Sequence, residues 1–368
     1  MNTDELRKSI DLYFQATGVL TSYNLDLVSA LCKRRRLSVT MDFSTLPLAY
    51  FTVRRKLSGF PGRISLKGTL GRSFEIKSLS HSATDGYDLL HLNQLRGVEG
   101  SLLYKEKPKI FTSHGVGENI TSEYLENIFS NSNFVVAPSN YTAKRIESKC
   151  GKKPEVIHHG VNLSLFQPSN SKAKIRRELG VPRNKKVILW NGRITPQKDL
   201  RTLLKSIPLV ADEIPDALFL IKGRTTDQDY MKTLEPEWVE INRDYGENLM
   251  MITNWIRHED LPKLYGAADL LVHTSIHESF GLTFTEAIAC GVPVLASKCA
   301  TAPEILGDAG SFYPPKDHEK LAEEIISMLK DNKNREKLAR KGIERARKKF
   351  SWKNAARKYF RLYQKSVF

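Results

Sequence analysis

The sequence predicts an α/β protein built as two parallel-sheet halves, and three observations carry that expectation. Its 368 residues exceed what one ordinary core encloses, so two domains of roughly 170 residues each are expected. Short apolar runs alternate with helix-period segments along the chain, the pattern of strands joined by helical crossovers. That alternation then restarts after LFQPSNSKAK, whose Pro, Ser and Asn mark a linker near residues 165 to 172. The expected division is therefore a first domain over 1–167 and a second over 168–350.

In the first half, Ile10 to Phe14 reads as a strand, followed by a turn at Gly18 and a periodic helix from Tyr23 to Cys32. That helix ends in Lys33, Arg34, Arg35 and Arg36, where cations offset the negative end of the helix dipole. Leu37 to Met41 is the next strand, and residues 43 to 85 show no clear period. Further strands are expected at DLLHLN (88–93), KIFTSH (109–114), NFVVAPS (133–139) and PEVIHHGVN (154–162). The second half repeats the pattern with KVILWNG (186–192), ALFLIKG (217–223), NLMMITN (248–254), DLLVHTS (269–275) and VPVLAS (292–297). Two series of similar size point to two facing Rossmann-like domains, whose ligands bind at the carboxyl ends of the strands.

Composition narrows the class. Apolar content of 40% without low-complexity tracts indicates a folded protein. No apolar run approaches the ~20 residues of a membrane span, and MNTDELRKSI has no apolar signal region, so a cytoplasmic protein is expected. Cys32, Cys150, Cys290 and Cys299 are widely spaced and read as reduced, buried residues. The net charge of +16 is concentrated: Lys330 to Phe368 holds 15 Lys or Arg against 3 acidic residues. This suggests either a solvated helix face or contact with an anionic surface. No aromatic-interleaved RNA motif accompanies it, so no nucleic-acid partner is expected.

The chemistry concentrates in HESFGLTFTEAIACGVPVLAS (277–297). After the strand DLLVHTS, a turn at Ser279, Phe280, Gly281 and Leu282 leads into a helix from about Thr283 to Cys290, stopped by Gly291. The first turn of a helix offers unpaired N–H groups and a positive dipole end, suited to a phosphate, and Gly281 lets the backbone come close to it. Glu278 and Glu286 would repel that anion, but each carboxylate can accept hydrogen bonds from a vicinal diol. A phosphate with diols on both sides is a nucleotide sugar. In LWNGRITPQKDLRTLL the first strand of the second half ends at Asn191 and Gly192, and Arg193 and Lys198 follow, placed to neutralise a departing diphosphate.

The ordered set resembles the retaining glycosyltransferases of family 4, with the two-domain GT-B fold. It comprises GR-x4-K (Gly192 to Lys198), E-x7-E in ESFGLTFTE, then EAIACGVPVLAS and APEILGDAGSFYPPKD. Upstream, HHGVNLSLFQP resembles the family's interdomain junction, VVAPSNYTAKRI its neighbouring strand and helix, and IFTSHG the strand end bearing a donor-contacting histidine; the likeness runs from about residue 86 to 368. It implies that Arg193 and Lys198 bind the diphosphate with the backbone of Gly281 and Leu282. Glu278 would contact the transferred sugar, Glu286 the ribose, His114 the donor from the first domain, and the backbone of Asn254, Trp255 and Ile256 the base. The helix from Ser351 (351–368) would cross back to complete the first domain. Members commonly carry a glycine pair after the first strand; FQATGVLTSYN has Gly18 alone, the candidate donor contact of that loop.

The expected activity is retaining, metal-independent transfer of a hexose from a nucleotide diphosphate sugar to a hydroxyl acceptor, which is a glycan, a lipid-linked molecule or a small molecule. No cofactor is expected. The basic C-terminal region would hold the protein at the inner face of an anionic membrane. Three other readings compete: a GT-B-fold nucleotide-sugar epimerase, which needs acid and base groups around one sugar carbon; a catalytically silent partner subunit; and a metal role for Asp227 and Asp229 in TTDQDY.

Overall fold

The computed structural model describes residues 10–15, 26–27, 30–31, 37–42, 64–67, 88–93, 108–246, 249–253 and 256–368. The chain forms two compact units, residues 1–160 with 351–368, and residues 161–350.

In the first unit seven strands form one parallel sheet: β1 (Ile10–Gln15), β2 (Leu37–Asp42), β3 (Ile64–Lys67), β4 (Leu89–Leu92), β5 (Lys109–Thr112), β6 (Phe134–Ala137) and β7 (Glu155–Val156). Their order is β3-β2-β1-β4-β5-β6-β7. Leu89, Leu90, Leu92, Ile110 and Phe111 are buried, as expected where helices cover both faces of a parallel sheet. Helix α1 (Ser122–Ser130) is capped by Thr121 and α2 (Asn140–Cys150) by Ser139; the Thr121 hydroxyl accepts the Tyr124 N–H and the Ser139 hydroxyl the Thr142 N–H. The last strand is shorter than PEVIHHGVN predicted. After Ile157 donates its N–H to the carbonyl of Ala137, the backbone leaves the sheet at His158. β3 lies in the stretch that showed no period.

The second unit holds a six-stranded parallel sheet of β8 (Lys186–Ile194), β9 (Ala217–Thr225), β10 (Met250–Thr253), β11 (Leu270–His273), β12 (Val294–Ser297) and β13 (Gly310–Tyr313), ordered β10-β9-β8-β11-β12-β13. Its helices are α3 (Lys172–Glu178), α4 (Leu200–Glu213), α5 (Gln228–Tyr245), α6 (Leu261–Ala267), α7 (Leu282–Ala289), α8 (Ala302–Leu306), α9 (His318–Lys330) and α10 (Asn332–Lys349). The division falls ahead of 167/168 because Val161 and Phe166 are buried in this unit's core, beside Val187, Leu189 and Leu271. β8 also runs past Gly192, pairing Gly192 with Gly223 and Arg193 with Arg224. Arg193 is thus a strand residue rather than a loop residue.

Helix α11 (Trp352–Val367) belongs to the first unit. Trp352, Ala355, Ala356, Tyr359, Leu362 and Tyr363 are buried, and Lys353, Arg357, Lys358, Arg361 and Lys365 are exposed. Val367, at the end of the helix, is only half-buried. Polar groups fix the helix as well. Buried His91 on β4 bonds through Nδ1 to the Tyr363 hydroxyl at 2.7 Å and through Nε2 to Thr112 Oγ1 at 2.8 Å, and Thr112 reaches the Tyr359 hydroxyl at 3.0 Å. Among the described residues no helix is long and apolar enough to cross a membrane.

Candidate active site

In the second unit the strand order reverses between β8 and β11, and a crevice at the carboxyl ends of an α/β sheet opens at such a switch point. The segments leaving these two strands are tied together. Thr274 Oγ1 accepts from the Trp190 indole at 3.0 Å and donates to the Lys198 carbonyl at 2.7 Å. The Gln197 side chain donates to the His277 carbonyl at 2.8 Å, and the Ile276 N–H to the Gln197 carbonyl at 3.0 Å. Lys198, on a single turn of 3-10 helix (Pro196–Lys198), is thereby brought to Glu278.

Glu278 is the centre of this site. Its Oε1 forms an ion pair with Lys198 Nζ, lies 3.2 Å from His273 Nε2 and accepts from Ser275 Oγ at 3.4 Å. Burial alone would raise the carboxyl, but the Lys198 ammonium and the His273 hydrogen bond outweigh it and hold the group down at about 2. Glu278 is therefore a carboxylate at any physiological pH. Burial keeps His273 below the usual histidine range, against the pull of Glu278.

Glu286 has a separate set of partners on the inner face of α7. The Tyr265 hydroxyl donates to its Oε2 at 2.8 Å and accepts from Asn191 Nδ2 at 3.0 Å. Burial and the Glu286 charge together push the Tyr265 phenol well above its ordinary value, so it stays a donor. Lys222 on β9 senses the same carboxylate; burial lowers its ammonium while Glu286 opposes the shift.

Gly281 takes φ 81° at the start of α7, and a Cβ there would strike the Phe284 ring. Glycine is required on both counts. The Leu282 and Thr283 N–H groups precede the first bond of α7, which Phe284 makes to the Gly281 carbonyl at 3.0 Å, and this leaves those two to face an anion. Arg193 is exposed at the end of β8 and has no carboxylate at ion-pair distance among the described residues.

His114 stands after β5 in the first unit. Its Nδ1 lies 3.4 Å from His159 Nε2, and the buried His159 ring stacks on Trp352 at 6.4 Å between centroids and 24° between planes. Burial holds His114 at about 3 and, with the neighbouring histidines, His159 well below 6.5. Both rings are neutral.

The structure brings Lys198 to Glu278 and sets Leu282 and Glu286 on one helix that Gly281 caps. Ile256 packs on the core beneath α7, while Asn254, Trp255 and Gly18 lie outside the described residues. Asp227 caps α5 by accepting the Tyr230 N–H at 2.9 Å and Asp229 is exposed in the first turn, so helix capping accounts for that pair. Among the cations between Lys330 and Phe368, Arg345 turns inward: its guanidinium donates to the carbonyls of Ile305 and Glu304. Sequence reading missed His273, Ser275, Tyr265, Asn191 and His159. Each sits inside a strand or helix pattern or at a strand end; a polar residue in an otherwise apolar run, as in DLLVHTS, was the available signal.

The chain is similar to known glycosyltransferases in sequence and in fold. The family described as glycosyl transferases group 1 matches residues 171–345, and that described as glycosyltransferase family 4 matches residues 21–165. The O-antigen chain mannosyltransferase B of Escherichia coli is 33% identical over 178 residues, 48% of this chain and 45% of that protein. A GDP-mannose-dependent monoacylated alpha-(1-6)-phosphatidylinositol monomannoside mannosyltransferase of Corynebacterium glutamicum is 29% identical over 226 residues, 58% of this chain and 57% of that protein. The matches thus span about half the length of these curated relatives. Among solved structures, Anabaena HepE in complex with UDP and glucose superposes with a TM-score of 0.78 at 21% identity, covering 96% of this chain and 98% of that one. A glycosyltransferase from Rickettsia africae gives 0.79 at 20% identity, covering 98% and 99%.

Proposed function

We propose a function from one premise: this chain belongs to the group 1 glycosyltransferases, with the GT-B fold. On that premise it transfers a hexose from a nucleotide diphosphate sugar to a hydroxyl group, with retention of the anomeric configuration and without a metal ion. The observation that carries this reading is the Glu278 carboxylate, kept ionised at the switch-point crevice beside Lys198 and the start of α7.

Charge builds on the diphosphate as the sugar departs. Arg193, Lys198 and the leading N–H groups of α7 stabilise it, doing electrostatically what a divalent ion does elsewhere. Lys198 has three donors, so it can keep Glu278 and still reach a phosphate oxygen. Glu278 accepts from a hydroxyl of the transferred hexose and Glu286 from the ribose. His114, neutral beside His159, is the residue to which the family pattern gives the donor-sugar contact. The names of the relatives and structural neighbours favour glucose or mannose as the sugar, and a glycan or lipid-linked acceptor. The exposed cations of α11, with Arg347, Lys348 and Lys349, would hold the protein at an anionic membrane on the cytoplasmic side.

A direct test is thermal unfolding with UDP-glucose and GDP-mannose in EDTA. One of them should raise the unfolding midpoint, and Arg193→Ala should abolish the rise. Midpoints unmoved by either donor and by UDP and GDP alone would contradict the reading.

A further inference from the structure

We propose that His273 is a positioning residue for Glu278: it anchors one carboxylate oxygen so that the other is presented to the donor sugar. The inference rests on the donor-site reading above. Three donors converge on the same atom, Glu278 Oε1: Lys198 Nζ, His273 Nε2 at 3.2 Å and Ser275 Oγ at 3.4 Å. Oε2 has no partner among the described residues. The carboxylate is thus divided, with Oε1 committed to protein and Oε2 available to one hydroxyl.

Of the three donors, only His273 fixes direction. Lys198 carries a point charge on a flexible stem, which attracts a carboxylate without orienting it. Ser275 is a long contact, and its hydroxyl also approaches His273 Nε2 at 3.5 Å. The His273 ring, by contrast, is the last side chain of β11, only 5% exposed, and lies 4.4 Å from the Phe284 ring of α7 at 53°. It is wedged between the helix that offers N–H groups to the diphosphate and the carboxylate meant for the sugar. A neutral ring can donate from only one nitrogen, so the contact requires the Nε2–H tautomer. Losing it would let the carboxylate rotate about its terminal torsion while Lys198 still held its charge, and a small misplacement at a reacting centre can cost about 100-fold in rate.

The test compares His273→Leu, which fills the space without a donor, with His273→Gln, whose amide can donate from a similar position. Turnover of UDP-glucose and GDP-mannose is measured for both variants and the wild type, together with 15N NMR of the His273 ring at pH 7. His273→Leu should lower kcat by about 100-fold with donor KM changed less than about threefold, and His273→Gln should recover most of the loss. The wild-type ring should be the Nε2–H tautomer. Wild-type kcat in His273→Leu, equal losses in the two variants, or an Nδ1–H ring in the wild type would each overturn the proposal. If the wild type consumes neither donor, the donor-site reading fails, while the tautomer still decides the role of His273.

Discussion

Glu278 and Glu286 are eight positions apart on one short segment, yet they occupy different chemical environments. Glu278 is paired with a full cation and kept ionised, whereas Glu286 accepts from a neutral phenol. Their replacement should therefore separate kinetically. Glu278→Ala should depress kcat far more than nucleotide affinity, because the lost contact acts on the sugar as it leaves, and Glu286→Ala should chiefly raise donor KM. Steady-state kinetics with a nucleotide titration measures both, and unchanged kinetics in the two variants would contradict the assignment. The two glutamates were legible in the sequence because carboxylates beside a glycine turn demand a reason. Tyr265 and His273 were not, because a tyrosine in LPKLYGA and a histidine in DLLVHTS satisfy the helix and strand patterns on their own. What gives them a role is a partner found only after folding, 21 residues away for Tyr265 and on the far side of a turn for His273.

At the scale of elements, α7 depends on Gly281. An alanine there would have to hold φ near 81° with its Cβ against the Phe284 ring, and the left-handed region alone costs roughly 1–2 kcal/mol for a residue with a side chain. Gly281→Ala should lower the thermal midpoint of the second unit and weaken nucleotide binding together, as read by differential scanning calorimetry and a nucleotide titration. The strands themselves were legible as apolar runs, and the order of the two series implied two sheets. Their ends were not. β8 continues to Ile194 because β9 runs alongside it to Thr225, a pairing that no local pattern in LWNGRI announces. β7 stops at Val156 although PEVIHHGVN stays apolar in part, since the chain must leave one unit and enter the other.

Across the whole molecule, charge and buried histidines set the response to solution conditions. His91 and His114 are lowered from 6.5 to about 3, and His159 lies well below 6.5; all three belong to the first unit. A folded-state value below the unfolded one means that the unfolded chain takes up protons first. Stability is then full above about pH 6.5 and falls as the pH drops toward 3, by up to ~1.4 kcal/mol per pH unit for each group. Hydrogen exchange followed by mass spectrometry, corrected for intrinsic rates, should show the first unit opening before the second between pH 7 and pH 5. Equal protection of the two units would contradict this. The basic surface makes a second prediction at this scale. Replacing Arg347, Lys348 and Lys349 by Gln should leave folding intact and reduce sedimentation with anionic liposomes at low salt, each cation contributing about 1 kcal/mol. Failure of the unmodified protein to sediment would remove the membrane and favour a soluble acceptor.

The central claim is that an ionised Glu278, with Arg193, Lys198 and the start of α7, supports retaining sugar transfer without a metal ion. Its most direct measurement is NMR of the first product formed from UDP-glucose or GDP-mannose in EDTA, with the chain's own acceptor or with water in its place. The account predicts release of the nucleoside diphosphate and a product that keeps the α configuration of the donor. An inverted product, or turnover that requires added manganese, would contradict it.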